Sequence, residues 1–132
     1  MDAVLLRSSF DLIADKNQFV ETFYEILFET YPQVHPLFAN TNIPHQARML
    51  ADVLETVVEG VEMGEDLTPI LQALGARHIT YGVLPEHYPM VGDALITTFQ
   101  KGLGSQWTPA FQNAWLQAFT VIAQVMTSAV RK

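Results

Sequence analysis

Hydrophobic positions recur along this chain at the three- and four-residue steps of an α-helix, rather than at the two-residue steps of a strand. The clearest stripe is Leu50, Val53, Leu54, Val57, Val58 and Val61. A second stripe, near the end of the chain, is Phe111, Trp115, Ala118, Phe119, Ile122 and Met126. No segment alternates clearly enough to predict a strand. The pattern therefore predicts an all-α chain.

Prolines and glycines indicate where these helices begin and end. Five prolines suit the first turn of a helix, where a missing N–H costs little: Pro32, Pro44, Pro69, Pro85 and Pro109. Thr68 and Thr108 are predicted N-caps, and Gly102 and Gly104 predict a helix end. The predicted helices are 2–14, 18–30, 32–37, 44–63, 68–79, 86–103 and 109–130. The loops between these helices are short, so we expect one domain over residues 1–132.

Composition narrows the classes of function. Hydrophobic residues make up 49% of the 132 residues and charged residues 16%, which is typical of a folded chain. The chain has no cysteine, which excludes disulfides, thiolate metal sites and cysteine nucleophiles. The net charge of −7 comes without a basic cluster, so nucleic acid is not an expected partner. With no leader and no apolar run of about 18 residues, we expect no membrane partner and a cytoplasmic location.

Few residues remain that could carry chemistry. The histidines are His35, His45, His78 and His87, and no two share a helical face as a zinc site would need. His78 follows Leu71 and Leu74 by seven and four residues, on the apolar face of a short helix. A polar ring placed there needs a partner, either a hydrogen bond or a metal. It could also be a helix-terminal histidine that interacts with the helix dipole.

Other polar residues stand out on apolar helices in the same way. Tyr24, Gln46 and, behind them, Tyr88 could line a pocket with His78, or could be ordinary core and surface residues. Arg48 and Arg77 lie in the most apolar helices, where they could bind an anionic ligand or extend their charged ends to solvent. The residue pattern alone leaves these alternatives open.

Four motifs occur in a fixed order along the chain. They are Phe23 to Phe28 (FYEILF), Pro32 to Phe38, Gln46 to Leu50 (QARML), and Leu74 to His78 (LGARH) followed by Tyr81-Gly82-Val83 and His87 to Gly92 (HYPMVG). Together they resemble the globin family, and in particular the bacterial single-domain haemoglobins of the flavohaemoglobin lineage. The resemblance covers nearly the whole chain. It implies an all-α globin fold, a three-over-three helical sandwich, with a short first helix.

The resemblance also implies a cofactor, haem b, and a role for each candidate. His78 would ligate the iron, Phe38 would pack on the porphyrin, and Leu50 and Leu74 would make apolar contacts above and below it. Tyr24 and Gln46 would form the distal pair. The remaining assignments concern the haem propionates, for which Arg48, Arg77 and His87 are candidates, and the orientation of His78, which Tyr88 would assist.

The implied function is reversible binding of O₂, CO and NO, with high O₂ affinity. One alternative is nitric oxide dioxygenation. We expect its electrons to come from a separate reductase, because the chain ends at Lys132. Another is a six-coordinate redox or sensor globin in which His45 takes the distal position instead of Gln46. A haem-free interaction module is a third. We expect a monomer or a weak homodimer.

One departure from the lineage concerns the iron-binding histidine. Flavohaemoglobins carry a glutamate late in the last helix, bonded to that histidine and increasing its basicity. In this chain the corresponding segment, Gln124 to Val130, contains no acid. We therefore expect weaker electron donation through His78 and no peroxidase-like activation.

Overall fold

The computed structural model describes residues 1–128, with every side chain among them except that of Thr80. Six α-helices are present in this part of the chain: α1 (Ala3–Asp11), α2 (Lys16–Thr30), α3 (Ile43–Glu62), α4 (Thr68–Thr80), α5 (His87–Leu103) and α6 (Pro109–Ser128). Pro32–Phe38 and Gly104–Gln106 are 3₁₀ helices. No strand occurs between residues 1 and 128, which confirms the all-α prediction. The predicted end of the last helix, 129–130, lies outside the described residues.

Side-chain caps fix most of the helix starts. Asp2, Asp15 and Asn42 each accept a hydrogen bond from the backbone N–H three residues later, at 3.0 Å. Thr108 does the same for α6, as predicted, with its hydroxyl 3.2 Å from the N–H of Phe111.

The predicted cap at Thr68 is wrong. Thr68 is already the first residue of α4, and its own N–H donates to the Asp66 carboxylate at 3.0 Å. The side chain that accepts a backbone N–H at the start of α4 is therefore that of Asp66, not that of Thr68. The predicted helix end at Gly104 is confirmed. Gly104 has a φ of +53°, a backbone conformation that residues with a side chain rarely adopt.

The main hydrophobic core lies among α1, α2, α3, α5 and α6. Its largest fully buried side chains are Leu6, Phe10, Phe23, Leu27, Phe99 and Trp115. One polar link crosses this core: the Trp115 indole N–H donates to the Ser9 hydroxyl at 2.7 Å, and Ser9 in turn donates to the Leu5 carbonyl. Every polar atom of the link has a partner, so its burial carries no penalty for a missing hydrogen bond.

A second, smaller cluster holds α4 to the rest of the fold. Val57, Leu67, Leu71, Tyr88 and Met126 are its buried members. Among the described helices, only α6 has a backbone that lies close to that of α4 over several residues. By backbone proximity α6 is therefore the main neighbour of the helix that carries His78, while Val57 of α3 and Tyr88 of α5 add side-chain contacts.

None of the described helices is long and apolar enough to cross a membrane. Glycines allow two of the helix crossings to be tight. A Cβ atom on Gly75 would lie 2.2 Å from the Met126 carbonyl oxygen, and one on Gly92 would lie 2.8 Å from the Phe119 ring. The α4–α6 and α5–α6 crossings are thus closer than a residue with a side chain permits.

Candidate ligand-binding cleft

Apolar side chains on α3 and α4 differ in how far they are buried. Near the loop, Val57 and Leu71 are buried, with exposed fractions of 3% and 2%. Further away, Leu50 and Leu74 are only half-buried, although both face apolar clusters. Val57 and Leu71 belong to the same cluster, so the two helices contact each other beside the loop, and the half-buried leucines beyond mark the space between the helices as the candidate cleft. Gln46, near the start of α3, and His78, near the end of α4, are also half-buried and lie on the parts of the two helices that are distant from the loop.

His78 lies near the end of α4 with its ring orientation fixed by its own helix. Its Nδ1 is 2.7 Å from the Leu74 carbonyl oxygen, which only accepts, so Nδ1 must carry the proton. The lone pair is left on Nε2. Burial lowers the pKa of His78, the Leu74 bond opposes that shift, and the charge of Arg77 adds to it. The ring is therefore a neutral imidazole with one nitrogen free to bind a metal.

Tyr24 and Gln46 form a pair on the α2–α3 side of the cleft. Tyr24 is 4% exposed. Burial raises the pKa of its hydroxyl to about 12, and a hydrogen bond with the Gln46 side chain works against that rise. At neutral pH the hydroxyl keeps its proton and can donate. The pair therefore offers two hydrogen-bond donors, the phenol O–H and the amide N–H.

Aromatic rings hold Tyr24 in place. The Phe38 ring lies 5.5 Å from the Tyr24 ring and nearly perpendicular to it, and Phe28 lies 5.2 Å from Phe38 and 6.0 Å from Tyr24. Distances and angles in this range are favourable for aromatic pairs. Phe38 is itself half-buried, so one side of its ring remains available at the cleft.

The other basic residues predicted for the site are exposed or only half-buried. His45 is exposed, and its backbone N–H donates to the Asn42 side chain at the start of α3. Arg48 and Arg77 are also exposed. His87 is half-buried, and its Nδ1 accepts from the Leu84 N–H at 3.0 Å, so one of its ring nitrogens is already used in the turn before α5.

Tyr88, predicted to assist the orientation of His78, is buried in the second cluster beside Leu71 and Met126. The orientation of His78 in this structure is fixed by the bond that its Nδ1 donates to the Leu74 carbonyl, and the role of Tyr88 stays a prediction. The sequence predicts only an apolar contact for Leu74. A backbone carbonyl leaves no trace in the residue pattern, so nothing in the sequence signalled this role.

The surroundings of His78 limit what kind of metal site it can form. Between residues 1 and 128, no three His, Cys, Asp or Glu residues are grouped closely enough to hold a metal ion. A metal at His78 would therefore need a cofactor that supplies its other ligands. Two surface grooves, of about 240 and 360 Å³, lie elsewhere, near Trp107 and near Val61, and neither is lined by His78, Tyr24 or Gln46.

Comparison with known proteins adds family information to this geometry. A family model described as Globin matches residues 21–126. The chain is 30% identical over 127 residues to a flavohemoprotein of Bacillus thuringiensis, which covers 94% of this chain and 31% of that protein. It is 31% identical over 103 residues to a flavohemoprotein of Bacillus subtilis (76% and 26% covered). A flavohemoprotein of Pseudomonas putida is 33% identical over 113 residues (81% and 28% covered).

A solved structure, that of a bacterial globin from Campylobacter jejuni, superposes on nearly the whole chain. The TM-score is 0.80 at 23% sequence identity, with 98% of this chain and 97% of that chain covered. The shared fold is thus clear. The three flavohemoproteins are much longer, because this chain spans less than a third of each of them.

Proposed function

Because this chain belongs to the globin family, we propose that it holds haem b in the cleft between α3 and α4 and binds O₂, CO and NO there. The all-α globin fold with a short first helix, predicted from the motifs, is confirmed. The observation that carries the proposal is the arrangement at the cleft. A neutral His78, whose Nε2 bonds to none of the described side chains, lies on α4, and Tyr24 of α2 interacts with the Gln46 side chain of α3.

The residues of the cleft fit a flat, largely apolar cofactor with acidic substituents. Phe38, Leu50 and Leu74 are half-buried side chains that would lose further solvent contact against a porphyrin, which stabilises the complex by about 25 cal/mol per Å² of apolar surface. The propionates would extend toward solvent, where Arg48 and Arg77 are exposed cations. His87 is the third candidate, through the ring nitrogen that does not bond to Leu84.

Each polar residue then has one task. Haem, when bound, supplies an iron with a coordination position for a small ligand. His78 presents the Nε2 lone pair to that iron, and the Leu74 bond keeps the ring in the right tautomer. Tyr24 and Gln46 present donors to a ligand that gains negative charge, as O₂ does. A bond to a charged acceptor contributes about 1.5–3 kcal/mol and a neutral one about 0.5–1.5 kcal/mol, which supports high O₂ affinity.

Gln46, rather than His45, is proposed as the distal partner of Tyr24. Its side chain lies close enough to the Tyr24 hydroxyl to affect the pKa of that hydroxyl, whereas His45 is exposed one position earlier in the first turn of α3. On this basis the ferrous iron is five-coordinate without a ligand. The six-coordinate redox or sensor alternative would require His45 to turn inward from solvent.

A second candidate function is nitric oxide dioxygenation, in which NO and O₂ are converted to nitrate. The similarity to flavohemoproteins favours it, because their name joins a flavin to a haem. The reaction needs an electron donor to restore the reduced state after each cycle. Repeated NO consumption with an added flavin reductase would support it, whereas a single stoichiometric burst would support ligand binding alone.

The experiment that tests the main proposal is the absorption spectrum of the purified protein in ferric, dithionite-reduced and CO-bound forms. We expect a Soret band, one broad visible band on reduction, and a shift of the Soret band with CO. Sharp, split visible bands in the reduced state would contradict the five-coordinate assignment and favour His45. The absence of a Soret band after reconstitution with haem would overturn the proposal.

A further inference from the structure

At Gly75, α4 lies directly against the backbone of α6. A Cβ atom there would lie 2.2 Å from the carbonyl oxygen, 2.8 Å from the carbonyl carbon and 2.9 Å from the Cα of Met126. All three are backbone atoms, so no side-chain rotation could make room. Gly75 therefore sets a minimum separation between the backbones of α4 and α6, and any larger residue would force the helices apart.

Gly75 is also close in sequence to the groups that define the iron-binding ring. Leu74, the preceding residue, provides the carbonyl that accepts from His78 Nδ1 at 2.7 Å. His78 itself follows Gly75 by three residues and is therefore on nearly the same side of the helix. A displacement of α4 at Gly75 would carry both the acceptor and the ring with it.

Other helices would oppose such a displacement mainly through side chains, such as Val57 of α3 and Tyr88 of α5 in the second cluster. Among the described helices, α6 alone lies close to α4 over several residues, and the side of α4 facing α3 borders the cleft. The α4–α6 distance at Gly75 therefore determines how far His78 extends across the cleft toward Tyr24 and Gln46.

We propose that Gly75 is a positioning residue, whose direct backbone contact with Met126 sets the placement of His78 relative to the haem iron. The inference rests on the proposed haem-binding function, because it assigns a task to a helix contact that would otherwise serve packing alone. Gly75 touches neither cofactor nor ligand. It acts through the Leu74–His78 hydrogen bond.

The test compares Gly75→Ala with Gly92→Ala. Both variants add one methyl group against α6, but the methyl at position 92 comes from α5 and meets the Phe119 ring rather than backbone atoms. The first readout is the iron–imidazole stretching band of the reduced, haem-loaded protein in resonance Raman spectra. The second is the His78 imidazole signal in ¹⁵N-edited NMR spectra, recorded on the diamagnetic CO-bound ferrous protein, or on the protein as purified if it takes up no haem.

We expect Gly75→Ala to shift or split the stretching band, to displace the His78 Nδ1–H signal, and to speed haem loss by about 10- to 100-fold, the usual effect of disturbing the groups that orient a metal ligand. Gly92→Ala should leave the band and the His78 signal as they are. An unchanged band and an unchanged His78 signal in a folded Gly75→Ala protein would overturn the proposal. Equal shifts in both variants would also overturn it, because they would indicate general loosening around α6.

If Gly75→Ala does not fold, Met126→Ala decides the question. It keeps the glycine and removes a buried side chain from the same crossing, so we expect smaller shifts of the same two signals. Unchanged signals would overturn the inference. A wild-type protein that takes up no haem would contradict the proposed function, whereas the NMR comparison would still show whether Gly75 controls His78.

Discussion

The two walls of the cleft are built in different ways. The Tyr24 wall, formed by α2, the Pro32–Phe38 helix and the start of α3, is continuous with the main core and includes the rings of Phe28 and Phe38. The His78 wall is α4 alone, held mainly by α6 and bordered by half-buried side chains. The hydrogen-bond donors thus lie on the firmly packed wall, and the iron ligand lies on the lightly attached one.

This difference has a consequence for the protein without its cofactor. Regions with few buried apolar contacts open locally at low free-energy cost. We expect α4 to open before α2 in the haem-free protein, and haem to fasten α4 to the opposite wall through His78. Haem would then stabilise the His78 wall, whereas the Tyr24 wall would be folded with or without it.

The largest effect is expected when the proposed bond between His78 and haem, which would join the two walls, is removed. We expect His78→Ala to lose stable haem binding, with no Soret band after purification, because no other described residue on α4 offers a nitrogen ligand facing the cleft. Added imidazole should restore part of the band by occupying the vacated space. His45→Ala, which removes an exposed ring, is the matched control. A normal haem content in His78→Ala would refute the assignment.

A pair of leucine truncations tests the unequal packing directly. Leu27 in the main core and Leu71 on α4 are equally buried, at 1% and 2% exposure. In the haem-free protein, Leu27→Ala should reduce the free energy of unfolding by about 2–5 kcal/mol, and Leu71→Ala by clearly less, because α4 is already partly open.

With haem bound, the cost of Leu71→Ala should rise toward that of Leu27→Ala. Urea unfolding of both variants, with and without haem, measures this. Equal losses in the haem-free protein would show that the two walls are equally firm.

On the Tyr24 wall, the hydroxyl can be removed without disturbing the ring contacts. We expect Tyr24→Phe to speed O₂ dissociation by about 10- to 100-fold, since a hydrogen bond to a charged acceptor contributes about 1.5–3 kcal/mol. CO dissociation should change much less. Stopped-flow displacement of O₂ by CO gives the rate.

Tyr31→Phe is the control for this measurement, because the Tyr31 hydroxyl donates to Asp93 at 2.7 Å and has no part in the Tyr24–Gln46 pair. An O₂ dissociation rate in Tyr24→Phe equal to that of Tyr31→Phe would remove Tyr24 from the site.

The smallest effect concerns the choice between two adjacent residues. Gln46→Leu removes a neutral donor and should speed O₂ dissociation by about 2- to 10-fold, corresponding to about 0.5–1.5 kcal/mol. His45→Leu should leave both the rate and the reduced-state spectrum unchanged. If His45→Leu altered the reduced spectrum and Gln46→Leu did not, the distal assignment would have to move by one residue.

Helix positions were predictable because their signals are local. The stripe from Leu50 to Val61 and the prolines that begin helices fix both ends of α3 and the start of α6 to within one residue. The predicted first helix, 2–14, extends beyond the observed Ala3–Asp11, because Leu12 and Ile13 turn back to bond with the Ser9 and Phe10 carbonyls. A helix end formed by a tighter turn has no marker residue in this segment.

The site was predictable only where a polar side chain interrupts an apolar stripe. His78, Tyr24 and Gln46 meet that condition, and the structure brings the last two together. Gly75 interrupts no apolar stripe in this way, and an isolated glycine in a helix is common. Met126, which it contacts in space, lies far away in the sequence. The use of His87 in the Leu84 turn was equally invisible, because it depends on backbone geometry.

The hydrogen bond from His78 to Leu74 has an effect on affinity beyond the choice of tautomer. It restricts the torsions of the imidazole during folding, so the ring has little rotational freedom left to lose when a cofactor arrives. Immobilising a side chain on binding ordinarily costs about 0.5–1.5 kcal/mol. With that entropy already lost in the folded chain, association is favoured by the corresponding factor, about 2- to 10-fold.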